Sequence, residues 1–232
     1  MNPMDKIILA LDFPTLAEAE TCLQKLPELT WVKVGMELFY AEGPQVIRNL
    51  KDRGYKVFLD LKLHDIPNTV YSATKSLLSL GADMLNYHVA GGKAMLAAAV
   101  QASVEMPGKQ PILIGVTQLT STDQITLERE IGITRPLAEV VLSYASLAKE
   151  TGLHGVVCSA LETTAIKGQM GADFITVTPG IRLETADTQD QKRVVTPKQA
   201  LEYGSDFLVI GRPLTKAAQP TAAWEEIKRQ LL

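Results

Sequence analysis

The chain has 232 residues, 46% of them hydrophobic, and a formal charge of −3, which supplies apolar material for a large core but no basic field for a nucleic-acid backbone. Two cysteines, Cys22 and Cys158, lie far apart without C-x-x-C spacing; they indicate neither a disulfide framework nor a thiolate zinc site, and suit a reducing compartment. The start "MNPMDKIILALDF" holds only a short apolar run, too brief for a membrane span and without a cleavage site, so an unprocessed cytoplasmic chain is expected, with no membrane and no nucleic-acid partner.

In chain order, "KIILALD" (6–12) reads as a first buried strand ending in Asp12, and "TLAEAETCLQKL" follows with apolar residues at helical spacing. "WVKVG" (31–35) places Lys33 inside a second apolar run, before the helical "GPQVIRNLKDRG" that closes at Gly54. "KVFLDLK" (56–62) is the third strand, "TVYSATKSLLSLGAD" the helix after it, and "DMLNYHV" (83–89) the fourth strand. After "GGKAMLAAAVQAS" come "PILIGVT" (111–117), the helical "LAEVVLSYASLAKETG", and then "GVVCS" (155–159), "DFITVT" (173–178) and "DFLVIG" (206–211). Gly54, Gly81, Gly152, Gly171 and Gly204 stand where helix C-caps need the left-handed conformation.

Eight near-continuous apolar strands alternating with helices predict a parallel sheet covered by helices, a single (β/α)8 TIM barrel over residues 1–232. An open doubly wound sheet is the alternative. The barrel is preferred because no G-x-G-x-x-G follows the first strand and polar residues gather at the C-terminal ends of many strands. Two connections, residues 118–135 and 179–196, are longer than the fold requires; both follow strands on the expected catalytic face and are candidate lids.

In "VFLDLKLHDIPNTV" (57–70), Asp60, Lys62 and Asp65 stand where a buried strand needs Val, Ile or Leu. Side chains alternate across a strand, so Asp60 and Lys62 are expected on the same, inward face, beside Lys33 and near Asp12. Lys33, Asp60, Lys62 and Asp65 form a neutral set in which opposite charges within about 4–6 Å could keep all four ionised and Lys62 a proton donor. A structural salt-bridge network is the plain alternative.

"VTPGIR" (177–182) and "VIGRP" (209–213) end the seventh and eighth strands, where many barrels hold a substrate phosphate. Backbone N–H groups at Gly211 and Arg212, opening a helix, and the guanidinium groups of Arg182 and Arg212 suit an anion. The histidines, His64, His88 and His154, have no metal-ligand spacing and read as supporting or core residues.

At this point "FLDLKLHDIPNTV" resembles the D-x-K-x-x-D signature of the orotidine 5′-phosphate decarboxylase family, whose members complete pyrimidine nucleotide synthesis. The resemblance extends through "LALD", "VKVG", "VTQLTS", "TPGIR", "DQKRV" and "IGRP", essentially the whole chain. It implies a cofactor-independent carboxy-lyase, without metal, in which Lys62 protonates C6 of the pyrimidine amid Lys33, Asp60 and Asp65. It further implies that Asp65, Ile66 and Thr69 complete the site of a partner subunit in an isologous homodimer. Asp12 and Lys33 match ribose contacts, Thr120 the contact to the pyrimidine amide edge, and Pro179 a further substrate contact. Arg182, Gln191, Gly211 and Arg212 match the phosphate set, with Gln191 on a closing loop. Two rivals stand beside it. A magnesium-dependent phosphosugar decarboxylase (3-keto-gulonate-6-phosphate type) of the same superfamily carries an acidic metal ligand where this chain has Lys33; a non-catalytic nucleotide-binding barrel would use the charges for stability alone.

Overall fold

A computed structural model of the protein describes residues 3–108, 110–183 and 195–231. The strands are β1 (Ile7–Ala10), β2 (Trp31–Gly35), β3 (Lys56–Leu63), β4 (Met84–His88), β5 (Ile112–Val116), β6 (Gly155–Val157), β7 (Ile175–Thr178) and β8 (Phe207–Ile210). All pair in parallel with their sequence neighbours, and β8 returns to β1, which closes the barrel and excludes the open sheet. Each strand lies within two residues of its expected limits. Around them run α1 (Leu16–Leu23), α2 (Met36–Glu42), α3 (Gln45–Asp52), α4 (Pro67–Ser79), α5 (Gly92–Val104), α6 (Gln124–Arg129), α7 (Leu137–Glu150), α8 (Ala160–Met170), α9 (Pro197–Glu202), α10 (Arg212–Thr215) and α11 (Pro220–Leu231). None of the described helices is long and apolar enough to cross a membrane.

Local chemistry sets the ends of these elements. Ser159 with Glu162 and Thr196 with Gln199 form capping boxes that start α8 and α9, each satisfying backbone N–H groups that a helix leaves over. The five glycines expected to end helices all have positive φ. Gly155 answers a different need, since a Cβ there would stand 2.0 Å from the Ile175 carbonyl oxygen, so β6 and β7 meet at a distance only glycine allows.

The core has two parts. Inward side chains of the strands, among them Ile8, Trp31, Phe58, Met84, Ile114, Phe207 and Val209, fill the barrel interior. The outward side chains, such as Ile7, Leu9, Val32, Leu59, Leu85 and Leu208, pack against the helices. Trp224 of α11 is fully buried in this outer layer and donates from Nε1 to the Pro27 carbonyl at 3.0 Å, tying the last helix to the connection before β2.

At the N-terminal mouth two aspartates pair with a lysine and a backbone N–H each. Asp83, just before β4, accepts the Val57 N–H at 2.8 Å and the Lys51 ammonium at 2.6 Å. Asp206, just before β8, does the same with the Thr176 N–H at 2.7 Å and Lys167 at 2.6 Å. His154, before β6, accepts the Leu113 N–H through Nδ1 at 3.0 Å, so its role is structural.

The connection 118–135 departs from the expectation of a structureless lid, because it folds its own helix, α6. Asp123 caps it by accepting the Thr126 N–H, and the Gln124 side chain reaches the Arg135 carbonyl and the Leu137 N–H. Those bonds fasten the start of α6 to the end of the segment and to the first residue of α7. Most of the second candidate lid, residues 184–194, lies outside the described residues and Gln191 with it.

Candidate active site

The polar groups of the C-terminal mouth form a chain of alternating charge. Lys33 Nζ lies 3.1 Å from Asp12 Oδ1 and 3.3 Å from Asp60 Oδ2, and Lys62 Nζ lies 2.7 Å from Asp60 Oδ1. Asp60 therefore divides its two oxygens between two ammonium groups. Lys33 and Asp60 are each only 8% exposed, a depth at which an unpaired charge would cost several kcal/mol. Burial pushes the Lys33 pKa down, but Asp60 and Asp12 outweigh it and the net direction is up. Burial likewise pushes Asp60 up; Lys33 and Lys62, with hydrogen bonds from Lys62 and Asn86, turn the net shift downward. Both groups are held in their charged forms.

The backbone that brings these charges together is irregular. β3 pairs with β4 through Leu59↔Leu85 and Leu63↔Tyr87, so three residues of β3 stand against the single Asn86. Such a bulge bends a strand and re-aims its side chains. Lys62 takes φ of 52°, a left-handed conformation rare outside glycine. Asp60 and Lys62 meet as expected, though through this bulge rather than through simple alternation. Gly35, paired with Asp60, leaves the room they need: a Cβ there would come within 3.1 Å of Lys33 Nζ.

Above the network opens a cavity of about 330 Å³, of a size that takes a small organic ligand. Asp12, Lys33, Asp60, Lys62, Thr120, Pro179, Arg182, Gly211 and Arg212 are among the residues that line it. Two guanidinium groups and two lysines thus surround one concave space. Arg182 is nearly buried and donates from Nη1 to the Ile181 carbonyl at 3.0 Å. The helix opened by Arg212 is a single turn, so the guanidinium groups supply more of the field for an anion than the helix dipole does.

The comparisons with known proteins agree with this geometry. Residues 5–227 match the model of the Orotidine 5′-phosphate decarboxylase / HUMPS family. The chain belongs to this family. It is 54% identical over 228 residues to the orotidine 5′-phosphate decarboxylase of Bacillus cytotoxicus, covering 97% of this chain and 96% of that one, and 53% identical over the same span to that of Bacillus cereus. Among solved structures, the orotidine 5′-phosphate decarboxylase of Lactobacillus acidophilus superposes with a TM-score of 0.86 at 43% identity, over 98% of this chain and 99% of that one. An uncharacterized conserved protein of Geobacillus kaustophilus superposes equally well, with a TM-score of 0.86 at 47% identity, over 97% and 100%.

Measured against the family pattern read from the sequence, Asp12, Lys33, Asp60, Lys62, Thr120, Pro179, Arg182, Gly211 and Arg212 share one cavity. Asp65, Ile66 and Thr69 do not join them within the chain. Asp65 accepts the Ile66 N–H at 2.7 Å and is exposed, Ile66 is 67% exposed, and none of the three lines the cavity. The neutral quartet of one protomer therefore contains Asp12 in place of Asp65. A strand-end turn and the start of α4 carry Asp65 away from Lys62.

Asn86, Gln118 and Ser121 belong to the site or its rim and were not singled out from sequence. Gln118 and Ser121 flank Thr120 in "VTQLTS" and were within reach of that motif. The His64 and His88 rings lie with centroids 5.5 Å apart, tilted at 41° to each other. Burial, then His64 and Lys62, push the His88 pKa down, so the imidazole is neutral at physiological pH and is a support beside the network.

Proposed function

We propose that the protein decarboxylates orotidine 5′-phosphate to uridine 5′-phosphate and CO₂, the last step of UMP formation in pyrimidine biosynthesis, and does so without metal or cofactor. The observation that carries the reading is Asp60 between two ammonium groups in a cavity that Arg182 and Arg212 also line. Breaking the bond from C6 to the carboxylate leaves an electron pair in an sp² orbital with no neighbouring carbonyl to spread it. A cation fixed beside C6 is then the most effective stabiliser, since it needs no reorganisation as charge develops. Lys62 holds that position. It passes a proton to C6 as CO₂ leaves and recovers one from water. Asp60 orients Lys62 and faces the departing carboxylate.

Lys33 and Asp12 bind the ribose hydroxyls, Thr120 the amide edge of the base, and Pro179, Gly211, Arg182 and Arg212 the phosphate end, with Gln191 joining from the connection after β7. Asp65, Ile66 and Thr69, exposed in the protomer, complete the site of a second copy in a two-fold dimer. Residues 1–232 are read as one decarboxylase barrel domain, at work in the cytoplasm.

The magnesium-dependent phosphosugar reading fails on Lys33. Its ammonium stands 3.1 and 3.3 Å from the two carboxylates that a divalent cation would need, and it would repel one. The test is turnover after exhaustive dialysis against EDTA. Full consumption of orotidine 5′-phosphate, with none of a phosphorylated keto-sugar in added magnesium, is expected. Loss of activity on dialysis, restored by magnesium, would overturn the reading.

A further inference from the structure

We propose that Asn86 is a positioning residue for the reaction, holding the Lys62 ammonium on its line to the substrate by gripping both the Lys62 backbone and the Asp60 carboxylate. The inference rests on the decarboxylase reading and deepens it. Asn86 is 2% exposed, and its side-chain amide makes two bonds of opposite sense. Oδ1 accepts the Lys62 backbone N–H at 2.8 Å, and Nδ2 donates to Asp60 Oδ1 at 2.6 Å. Turning the amide over would set NH₂ against N–H and oxygen against carboxylate, so the orientation is fixed. Asp60 Oδ1 is also the oxygen that receives Lys62 Nζ at 2.7 Å. One side chain thus fastens both ends of a small loop running from the Lys62 backbone, out along its side chain, to the carboxylate and back.

The loop needs such a fastening. Three residues of β3 face Asn86 alone, so the Lys62 N–H has no ladder partner of the ordinary kind. A buried N–H without an acceptor is avoided, and a non-glycine residue at φ of 52° persists only where its surroundings fix it. Asn86 supplies the acceptor and so fixes that conformation. Ala at this position would free the N–H, loosen the left-handed turn, and release Asp60 Oδ1 to rotate. The ammonium would then sample positions off the C6 axis, while the phosphate and ribose contacts, made by other strands, would remain. A displacement of about 1 Å at a reacting centre costs on the order of 10²-fold in rate.

The charged and titratable groups at this end of the barrel are Asp12 after β1, Lys33 of β2, Asp60 and Lys62 of β3, His88 of β4 with His64 beside it, and Arg182 and Arg212 after β7 and β8; on the β5 side Asn86 is in register with Ile114. An Asn86→Asp variant keeps the shape and tests the donor. Ionised, it still accepts the Lys62 N–H but opposes Asp60; protonated, it donates to Asp60 as the amide does. Beside another carboxylate, its proton is held to higher pH than usual.

The experiment measures kcat, KM and uridine 5′-phosphate affinity for wild type, Asn86→Ala, Asn86→Asp and Lys62→Ala between about pH 5 and pH 8, each corrected for folded fraction. Expected is a fall of about 10²-fold in kcat for Asn86→Ala, with product affinity within about threefold of wild type. For Asn86→Asp, kcat relative to wild type should rise as the pH falls. A purely structural role would lower the melting temperature and leave kcat per folded site and its pH profile unmoved. That result, or an Asn86→Asp profile parallel to wild type, overturns the proposal, and the second decides alone if Asn86→Ala does not fold. Wild type without turnover would sink the decarboxylase reading itself; active wild type, inactive Lys62→Ala and fully active Asn86→Ala would sink only the role of Asn86.

Discussion

The two mouths of the barrel bury charge by opposite rules. At the N-terminal mouth two aspartates each take a lysine and a backbone N–H: Asp83 with Lys51 and Val57, Asp206 with Lys167 and Thr176. The two sets are four strands apart and repeat the same device, which stitches a strand, the helix before it and the start of the next strand. At the C-terminal mouth Asp60 serves two lysines, one of them also held by Asp12, and the group faces a cavity. A charge pair that satisfies itself against backbone holds the fold. Asp83 lines a cavity too, of about 390 Å³, so the difference lies in the sharing: a carboxylate divided between two ammonium groups is arranged for a guest.

That contrast can be broken from either end. Among changes that leave Lys62 in place, the largest effect expected is at Asp60: Asp60→Asn removes the charge that holds both ammonium groups and should lower kcat by about 10³-fold in steady-state assays, the scale at which a preorganised electrostatic group acts. Arg212→Ala comes next. A guanidinium on the phosphate acts through binding energy used in the transition state, so kcat/KM should fall by about 3 kcal/mol in free-energy terms; unchanged kinetics would contradict the phosphate role. At the other mouth, Asp83→Ala should cost about 2 kcal/mol of stability in urea unfolding, from a lost ion pair and the Val57 N–H left without its acceptor, with kcat within twofold of wild type.

The smallest effect is in pH dependence. The Asp60 pKa is lowered in the folded chain, so its stabilising contribution is whole above about pH 4 and is lost as the pH falls through the folded value. The Lys33 pKa is raised, so its contribution is whole below about pH 10 and is lost as the pH rises through the folded value. A plateau between these limits is expected in unfolding free energy. In Lys33→Met the acid limb should move to higher pH, because burial then acts on Asp60 with only Lys62 and the Asn86 hydrogen bond opposing it.

Much of this was legible from sequence because the fold and the site use contrast. Parallel barrel strands are apolar on both faces, so Lys33 in "WVKVG" and Asp60 and Lys62 in "KVFLDLK" stood out as charges without a structural reason. Arg182 and Arg212 were found through their place after β7 and β8. Asn86 in "DMLNYHV" was not, because one amide inside a strand carries no periodic signal, and its importance comes from a bulge and a left-handed lysine that alternation cannot foresee. The stitching by Asp83 and Asp206 was missed for a related reason, since each joins three segments distant in sequence. Helix α6 hid in a polar connection whose composition reads as loop, although Asp123 is an ordinary cap. Asp65 comes from the D-x-K-x-x-D signature, which by resemblance assigns it to a partner's site; within the chain it lies exposed just before α4.

The central claim is that the open, cavity-facing charges act on substrate through Lys62, and it is tested most directly by the loss of orotidine 5′-phosphate absorbance with EDTA-treated wild type and Lys62→Ala. Steady turnover in wild type and a fall of about 10⁴-fold in the variant, with uridine 5′-phosphate still bound, is the predicted result. Turnover in Lys62→Ala within about tenfold of wild type would contradict it, and would reduce the charges of the C-terminal mouth to the same structural role as those of the other.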